Sequence, residues 1–592
     1  MNMNDNNKYF TSARNAQIVI YLLKAHNIRK VIASPGTQNM SLVTSMQRDS
    51  FFEMYSAPDE RSAAYMACGL SAESGEPVVL SCTGATASRN YVPGLTEAFY
   101  RHLPIIAITS TERINKVGQN IPQIIDRGLL QNDIAKISVR ANAIDTADGE
   151  WECMLQVNKA LLEINHHGVG PVHINLEKVN DYDFTTKIIP SCRVINRYTA
   201  ESISLPSLPQ GRIAIFVGAH GKFNDDLTKK IEVFCDKYNA VVFCDKTSNY
   251  HGAHMMNFSL VASQDRYVSQ LFKTDLLIWL GEISGDYYQQ GRLGSNTKNV
   301  WRVNEDGILR DQFKKLSSVF EMNEETFFSR YTLDTECKEN SYWQACQKES
   351  SKCYEKVPQL PFSNIWIAKE MARKMPQNSF MHFGILNSLR AWNFFDVDES
   401  IETSCNVGGF GIDGGLSTLL GASLANPDRL HFGIFGDLAF FYDMNSLGNR
   451  HLGNNLRIML VNNAKGSEFK LYSHPASKLG TETDEYIAAA HHYGNKSPLL
   501  VKHYSEDLGF MYISANSKED FLDNYSKFIV GHFDKPILFE IFTNAEDESN
   551  ALFAMNNIVV PTEAQLKDKI RNVLGEKNLR TFRNIIDSLK SK

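Results

Sequence analysis

Glu60 stands in the run Ala57-Pro-Asp-Glu-Arg-Ser-Ala63, after a stretch that predicts a strand (Phe51 to Tyr55) and at the start of a helix of small residues. That position puts a carboxylate at the carboxyl end of a strand, beside a tightly packed helix start. Alone, Asp-Glu-Arg reads as a solvated charge pair. Far downstream the apolar run His431 to Phe435 predicts a strand ending at Gly436-Asp437-Leu438. A helical stretch, Asp443 to Gly453, and a second strand, Arg457 to Val461, lead to Asn462-Asn463. One βαβ unit then brings Asp437 and Asn463 to the carboxyl ends of two parallel strands, where α/β sheets bind ligands. The Asp437 carboxylate, the Asn463 amide oxygen and a backbone carbonyl near Lys465 form an oxygen set for a hard cation such as Mg²⁺, which readily keeps phosphate oxygens in its octahedron. Gly436 lets the backbone approach a diphosphate with no Cβ in the way. Taken singly, Gly-Asp and Asn-Asn are also common turn residues after strands.

The third signal is Asn406 to Ser423, N-V-G-G-F-G-I-D-G-G-L-S-T-L-L-G-A-S. Its glycines allow unusual dihedrals and close approach to a flat ligand, and the small-residue helix that follows favours an anion at its N-terminus. The three segments together resemble the thiamine-diphosphate (ThDP) enzymes, with Gly-Asp and Asn-Asn as the metal-diphosphate signature. The branch they resemble is that of the menaquinone-pathway synthases joining 2-oxoglutarate to isochorismate (SEPHCHC synthase). The resemblance covers roughly residues 12 to 543.

That resemblance implies an α/β fold of three parallel-sheet domains, which bind the aminopyrimidine, lie centrally, and bind the diphosphate with Mg²⁺. It implies that Glu60 activates the cofactor by a hydrogen bond to the aminopyrimidine. The bulky Ile412 would wedge the cofactor into a V shape, and the Phe410 carbonyl would receive its amino group. Gly436, Asp437, Leu438 and Asn463 would hold the diphosphate and metal. Gln123 matches a family Gln on the substrate side, and Phe469 a family aromatic near the substrate. A Glu that shares a proton near neutral pH must be desolvated; Ala57, Ala63 and Ala64 suit such a pocket, and Arg61 is expected to point elsewhere. Sites in this family form between two chains, which implies a homodimer or homotetramer.

Cofactor motifs agree with the branch; substrate motifs depart from it. Where the branch has S-P-G-S-R, this chain has Ser34-Pro-Gly-Thr37-Gln38, so Gln38 replaces an arginine. A Lys-Arg pair of the central domain falls on Asp286-Tyr287. Two arginines that grip the distal carboxylate of 2-oxoglutarate fall on Trp392, in the segment begun by Ser388, and on Val407, with Arg390 two places from Trp392. Loss of several guanidinium groups removes both charge and bidentate geometry. The expected reaction is therefore decarboxylation of a pyruvate-like 2-oxo acid, with transfer of the acyl carbanion to an acceptor, a sugar-like carbonyl compound being suggested by Thr37, Gln38, Asp286 and Tyr287. A simple 2-oxo-acid decarboxylase is the alternative. A nucleotide-dependent dehydrogenase would account for the central α/β unit but not for Glu60, and the Gly218-Ala-His220-Gly turn with Lys222 lacks the dinucleotide fingerprint. A non-catalytic scaffold is disfavoured by Glu60 itself.

The elements that must position these residues follow from pattern. The 592 residues exceed one core, so roughly three or four domains are expected. Val/Ile-rich runs alternating with helical patterns predict parallel sheets. The reading assigns 1–190 to a pyrimidine-binding domain, 191–210 to a linker, 211–340 to a central Rossmann-like domain and 341–361 to a second linker. It assigns 362–546 to a diphosphate-binding domain and 547–592 to a tail, helical at Thr562 to Leu574 and Leu579 to Leu589. His491-His492 falls in an apolar pattern that predicts a scaffold helix. A net charge of −6 without a basic block excludes an electrostatic case for nucleic acid. Ten cysteines without a paired motif, no export signal and no membrane-length apolar run predict a soluble, cytoplasmic protein with small-molecule substrates.

Overall fold

Short apolar runs bounded by small residues make strands that are buried on both faces, and such strands assemble in parallel under flanking helices. The structure, a computed structural model, describes residues 9–127, 130–179, 183–332, 340–492, 496–530 and 534–559. Three parallel sheets carry the chain. Contacts divide it into two units, residues 1–199 with 307–321, and residues 200–306 with 322–592.

In the first unit, β1 (Lys30–Ala33), β2 (Glu53–Ser56), β3 (Val78–Cys82), β4 (Ile105–Thr111), β5 (Ser138–Ala141) and β6 (Val172–Glu177) run in the order β2-β1-β3-β4-β6-β5. Successive side chains of a strand face opposite ways. Val79, Ile106, Ile108 and Ile174 accordingly join Ile18, Leu22, Val157 and Leu161 of helices Arg14–Ala25 and Ala147–Glu163. Leu80, Cys82, Ile105 and Ala107 join Ala63, Ala64, Ala67 and Leu95 of helices Glu60–Ser74 and Val92–Tyr100 on the other face. Small residues make the second layer thin. A Cβ on Gly94 would lie 2.4 Å from the Ala64 Cβ, so these two helices cross in near-backbone contact.

The stretch read as the first linker contains a strand, β7 (Asn196–Thr199). In the second unit, β8 (Ile213–Val217), β9 (Val241–Cys244), β10 (Met255–Met256), β11 (Thr274–Leu280) and β12 (Thr297–Val303) run in the order β10-β9-β8-β11-β12. Next in the chain, β13 (Leu316–Glu321) belongs to the first unit and pairs in parallel with β7, Val319 opposite Arg197. This long-range pairing makes a strand of a polar segment whose local pattern reads as linker. The third sheet comprises β14 (Phe380–Phe383), β15 (Glu402–Cys405), β16 (His431–Gly436), β17 (Leu456–Asn462), β18 (Met511–Ala515) and β19 (Ile537–Phe542), in the order β15-β14-β16-β17-β19-β18.

Other elements differ from their sequence reading. The segment read as the second linker holds a helix, Ser341–Tyr354, capped by the Asn340 side chain; only Tyr342, Cys346, Ser350 and Cys353 are buried, a thin stripe within a polar composition. After β16 the helix is Asp437–Asp443, followed by a 3₁₀ segment Met444–Gly448, and so starts six residues earlier than the pattern predicts. Among the described residues, His491 and His492 lie in a turn, not in the expected helix: Ala489 and His491 take left-handed backbone conformations, with φ of 48° and 66°. Asp547 does not begin a separate tail: it lies inside helix Ala545–Asn556, whose Ala551, Leu552 and Met555 are buried. The helices expected at Thr562 to Leu574 and Leu579 to Leu589 lie outside the described residues. Among the described residues no helix is long and apolar enough to cross a membrane.

Candidate active site

In the first unit Glu60 is the first residue of helix Glu60–Ser74, four residues past the end of β2. Asp59 caps that helix, its Oδ2 accepting the Ser62 N–H at 3.0 Å, which leaves the Glu60 side chain uncommitted to capping. Ala57, Ala63 and Ala64 are buried around it, Arg61 is exposed, and Glu60 itself is half-buried. Glu60 lies close enough to Cys82 and Tyr91 for its charge to act on both. Burial pushes the Cys82 thiol up to about 12 and the Tyr91 phenol well above its usual value, with Glu60 adding to each.

The turn after β1 faces the same strand ends. The Gln38 Oε1 accepts the Gly84 N–H at 3.1 Å, and its Nε2 donates to the Gln123 Oε1 at 3.3 Å. Gln123 is held in the left-handed region, φ 66°, and both it and Thr37 are exposed. Arg127, which sequence reasoning passed over, is only 7% exposed and donates to the Thr109 Oγ1 at 2.8 Å and the Ser110 carbonyl at 2.5 Å. Burial lowers it to about 10. An arginine four residues after Gln123, in no helix or strand, gives no local signal of burial.

In the second unit Gly436 of β16 sits opposite Val461 of β17, so Asp437 and Asn463 leave adjacent strand ends. Asp437 is 3% exposed; its Oδ1 accepts the Leu438 N–H at 2.8 Å, while Oδ2 has no partner. Burial raises this carboxyl to about 7, against the pull of backbone N–H groups at Leu438, Ala464 and Lys465. The two asparagines divide the work. Asn462 donates to the Glu540 Oε1 at 2.8 Å and accepts the Ala464 N–H at 3.2 Å, which fixes the loop. Asn463 donates to the Ser467 Oγ at 3.1 Å and leaves its own Oδ1 buried without a partner. Two buried, unpartnered oxygens of hard character on adjacent strand ends fit a small divalent cation such as Mg²⁺. The Lys465 side chain is turned to the Asp484 Oδ2 at 2.7 Å, so only its backbone is free to contribute. A Cβ on Gly466 would meet Phe469 and Leu438 at 3.1 and 3.2 Å, which places those two side chains side by side over the loop.

The glycine-rich segment is built around Phe435. A Cβ on Gly415 would lie 2.7 Å from the Phe435 ring, so helix Gly415–Ala425 can pack here only with glycine at its start. Phe410 takes a left-handed conformation, φ 55°, and Ile412 remains half-buried. Asp443, read from the sequence only as a helix start, ties this helix to the one begun by Asp437: its carboxylate accepts the Ser417 N–H and Oγ–H, each at 2.6 Å.

The substrate-side residues separate. Tyr287 is exposed, with its ring edge-on to Phe410 at 5.4 Å. Asp286 does not face an open acceptor pocket: it is 2% exposed and caps helix Tyr287–Asn296, accepting the Tyr288 and Gln289 N–H groups and the Ser259 hydroxyl. Its burial raises it to about 6. Trp392 is fully enclosed against Phe383, and Ser388 and Val407 are also buried, so these three are packing residues of helix Asn387–Asn393 and the β15 turn. Arg390 is gripped bidentately by Glu468, at 2.8 and 3.0 Å, and is not free to bind an anion.

Comparison with known proteins agrees with this geometry. Residues 14–133 match the family model described as the thiamine pyrophosphate enzyme N-terminal TPP binding domain. The 2-succinyl-5-enolpyruvyl-6-hydroxy-3-cyclohexene-1-carboxylate synthase of Phocaeicola vulgatus is 30% identical over 563 residues, covering 92% of this chain and 98% of that protein. Proteins of the same name from Bacteroides thetaiotaomicron and Flavobacterium johnsoniae are 28% and 27% identical, over 92% and 89% of this chain and 98% and 96% of theirs. With a relative aligned over nearly its whole length and a matching cofactor-binding domain, the chain belongs to the thiamine-diphosphate-dependent enzymes, as a carboligase or lyase similar to the 2-succinyl-5-enolpyruvyl-6-hydroxy-3-cyclohexene-1-carboxylate synthase branch.

Proposed function

We propose that this enzyme decarboxylates a pyruvate-like 2-oxo acid and passes the acyl unit to an acceptor carbonyl compound rich in hydroxyl groups, using ThDP held with Mg²⁺. The observation that carries the cofactor reading is the pair of buried, unpartnered oxygens, Asp437 Oδ2 and Asn463 Oδ1. Bound there, ThDP supplies an electron sink for loss of CO₂ from a 2-oxo acid. Asp437, Asn463 and the backbone at Lys465 would hold the metal and diphosphate end. Phe410 and Ile412 would present a backbone carbonyl and an apolar side chain to the ring system, and Leu438 and Phe469 lie side by side over the Gly466 loop. Glu60 would hold the aminopyrimidine by a shared proton, the cofactor belonging to a neighbouring copy of the chain in a homodimer or homotetramer. Gln38 and Gln123, already bonded to one another, offer amide groups to an acceptor, with Thr37 and Tyr287 exposed on their respective units.

The donor assignment rests on the fate of the arginine positions. Trp392 and Val407 are enclosed and Arg390 is paired, which supports a donor lacking a distal carboxylate over 2-oxoglutarate, although the relatives' names imply a succinyl product. The nine described cysteines are free thiols, which suits a reducing, cytoplasmic setting. The test is CO₂ release from a panel of 2-oxo acids with ThDP and Mg²⁺, with and without aldehyde acceptors, and with Glu60→Gln as control. Release from pyruvate-sized donors that is lost in Glu60→Gln is expected. Release from 2-oxoglutarate alone overturns the donor assignment, and full activity of Glu60→Gln overturns the role of Glu60.

A further inference from the structure

The second unit holds a cleft of about 960 Å³ that the chemistry above leaves unused. It opens beyond the carboxyl end of β9, where Asp245 and Lys246 follow directly on Cys244, and helix Ser341–Tyr354 and the segments around Arg373 and Phe395 complete its walls. Carboxyl ends of parallel strands are where α/β domains bind ligands. The deciding residue is Lys246. It is 5% exposed, and its backbone is pinned on both sides: its N–H donates to the Asn393 Oδ1 at 3.0 Å, and its carbonyl accepts the Thr403 hydroxyl. Lys246 lines the cleft, its charge acts on Asp396 and His251 of the same lining, and its ammonium makes no hydrogen bond or ion pair among the described residues.

A buried cation without a partner is costly, and proteins keep one where a ligand supplies the counter-charge. Burial lowers the Lys246 pKa, with Asp396 and Asp245 opposing. Neither acid neutralises it by contact. Asp245 is saturated by the Thr247 N–H and hydroxyl, the Ser248 and Ser284 hydroxyls and the Asp286 N–H. Asp396 accepts the Asn257 amide at 3.0 Å. Glu399 is the remaining acid of the lining, set against Lys246, Lys348, Lys369 and Arg373, and the His251 Nε2 is buried there without a partner. Met255, Met256, Tyr354 and Phe395 supply an apolar wall.

We propose that this cleft binds a small organic anion, its carboxylate or phosphate on Lys246 and its apolar body against Tyr354 and Phe395. Both kinds of anionic head suit an ammonium with room for basic side chains around it. The cleft is distinct from the Asp437/Asn463 pair, so the proposal does not rest on the substrate assignment above.

The test is calorimetric titration of the full-length protein, saturated with ThDP and Mg²⁺, with benzoate and with phenyl phosphate. These probes share an apolar body and differ in the anionic head. Saturable binding of at least one is expected, weakened about tenfold or more in Lys246→Met and also in the wall variant Lys369→Ala/Arg373→Ala. The better-bound probe identifies the head group. Because the wall variant changes residues flanking the cleft, it carries the test if Lys246→Met does not fold. Absence of saturable binding by both probes at millimolar concentration overturns the proposal, as does binding that persists unchanged in the folded variants.

Discussion

Replacing Asp437 by Asn should separate what this residue does for the cofactor from what it costs the fold. The substitution keeps shape and removes the charge. In the folded protein burial raises the carboxyl from 3.8 to about 7, so the folded state resists its ionisation. A folded-state pKa above the unfolded value gives stability that is complete below pH 3.8 and is lost as pH rises towards 7. At 1.36 kcal/mol per unit, the penalty for the cofactor-free protein is roughly 2 kcal/mol at pH 5.5 and roughly 4 kcal/mol at pH 8. Asp437→Asn should therefore unfold at higher denaturant than wild type without cofactor, by a margin that grows about 2 kcal/mol between those pH values. ThDP with Mg²⁺ should reverse the ranking at pH 5.5 and narrow the variant's lead at pH 8. Wild type gains about 2.7 kcal/mol at ligand one hundred times its dissociation constant, whereas the variant, short of a metal oxygen and a negative charge, gains little. Urea unfolding at pH 5.5 and 8, with and without both ligands, measures all four quantities. A cofactor-free variant less stable than wild type at pH 8, or one with the full ligand-induced gain, would refute the assignment.

Other expected outcomes follow from the same geometry. Gly94→Ala places a methyl 2.4 Å from the Ala64 Cβ and should cost about 1–3 kcal/mol by denaturant unfolding; adding Ala64→Gly should recover part of this, less about 1 kcal/mol for glycine in a helix, and an unchanged single variant would show that the helices adjust freely. Glu548 is 5% exposed, and burial raises it to about 7 from 4.5, so its ionisation destabilises the fold increasingly from pH 4.5 to 7. Glu548→Gln should be more stable than wild type by about 3 kcal/mol at pH 8 and by about 1 kcal/mol at pH 5; a difference independent of pH would sink that reading. Glu468→Gln weakens the clamp on Arg390, and the ratio of CO₂ release from 2-oxoglutarate to that from pyruvate should rise; an unchanged ratio would mean that Arg390 does not reach the donor. Glu60→Gln should abolish turnover while ThDP still shifts the melting temperature, and loss of both would point to a folding defect.

Residues whose meaning is local were legible before the fold was seen. Gly436-Asp437 and Asn462-Asn463 follow apolar runs that can only be strands, and period and spacing alone bring them to adjacent strand ends. Glu60 is fixed in the same way, by a strand before it and an alanine-rich helix after it. Positions whose meaning depends on distant partners were not legible. Asp286 reads as an open acid and is a buried helix cap; Trp392 reads as a pocket wall and is core; Arg390 reads as a free guanidinium and is spent on Glu468, seventy-eight residues away. Arg127 and Lys246, which the sequence did not single out, are both buried. Periodicity along a chain records which face of an element is apolar. Burial of a charge, and whether another charge meets it, is settled only when elements far apart in sequence pack together. The sequence by itself determined the parallel α/β class and set Gly436-Asp437 and Asn462-Asn463 at strand ends; tertiary packing decided the pairing of β7 with β13 and which of the remaining polar groups are free.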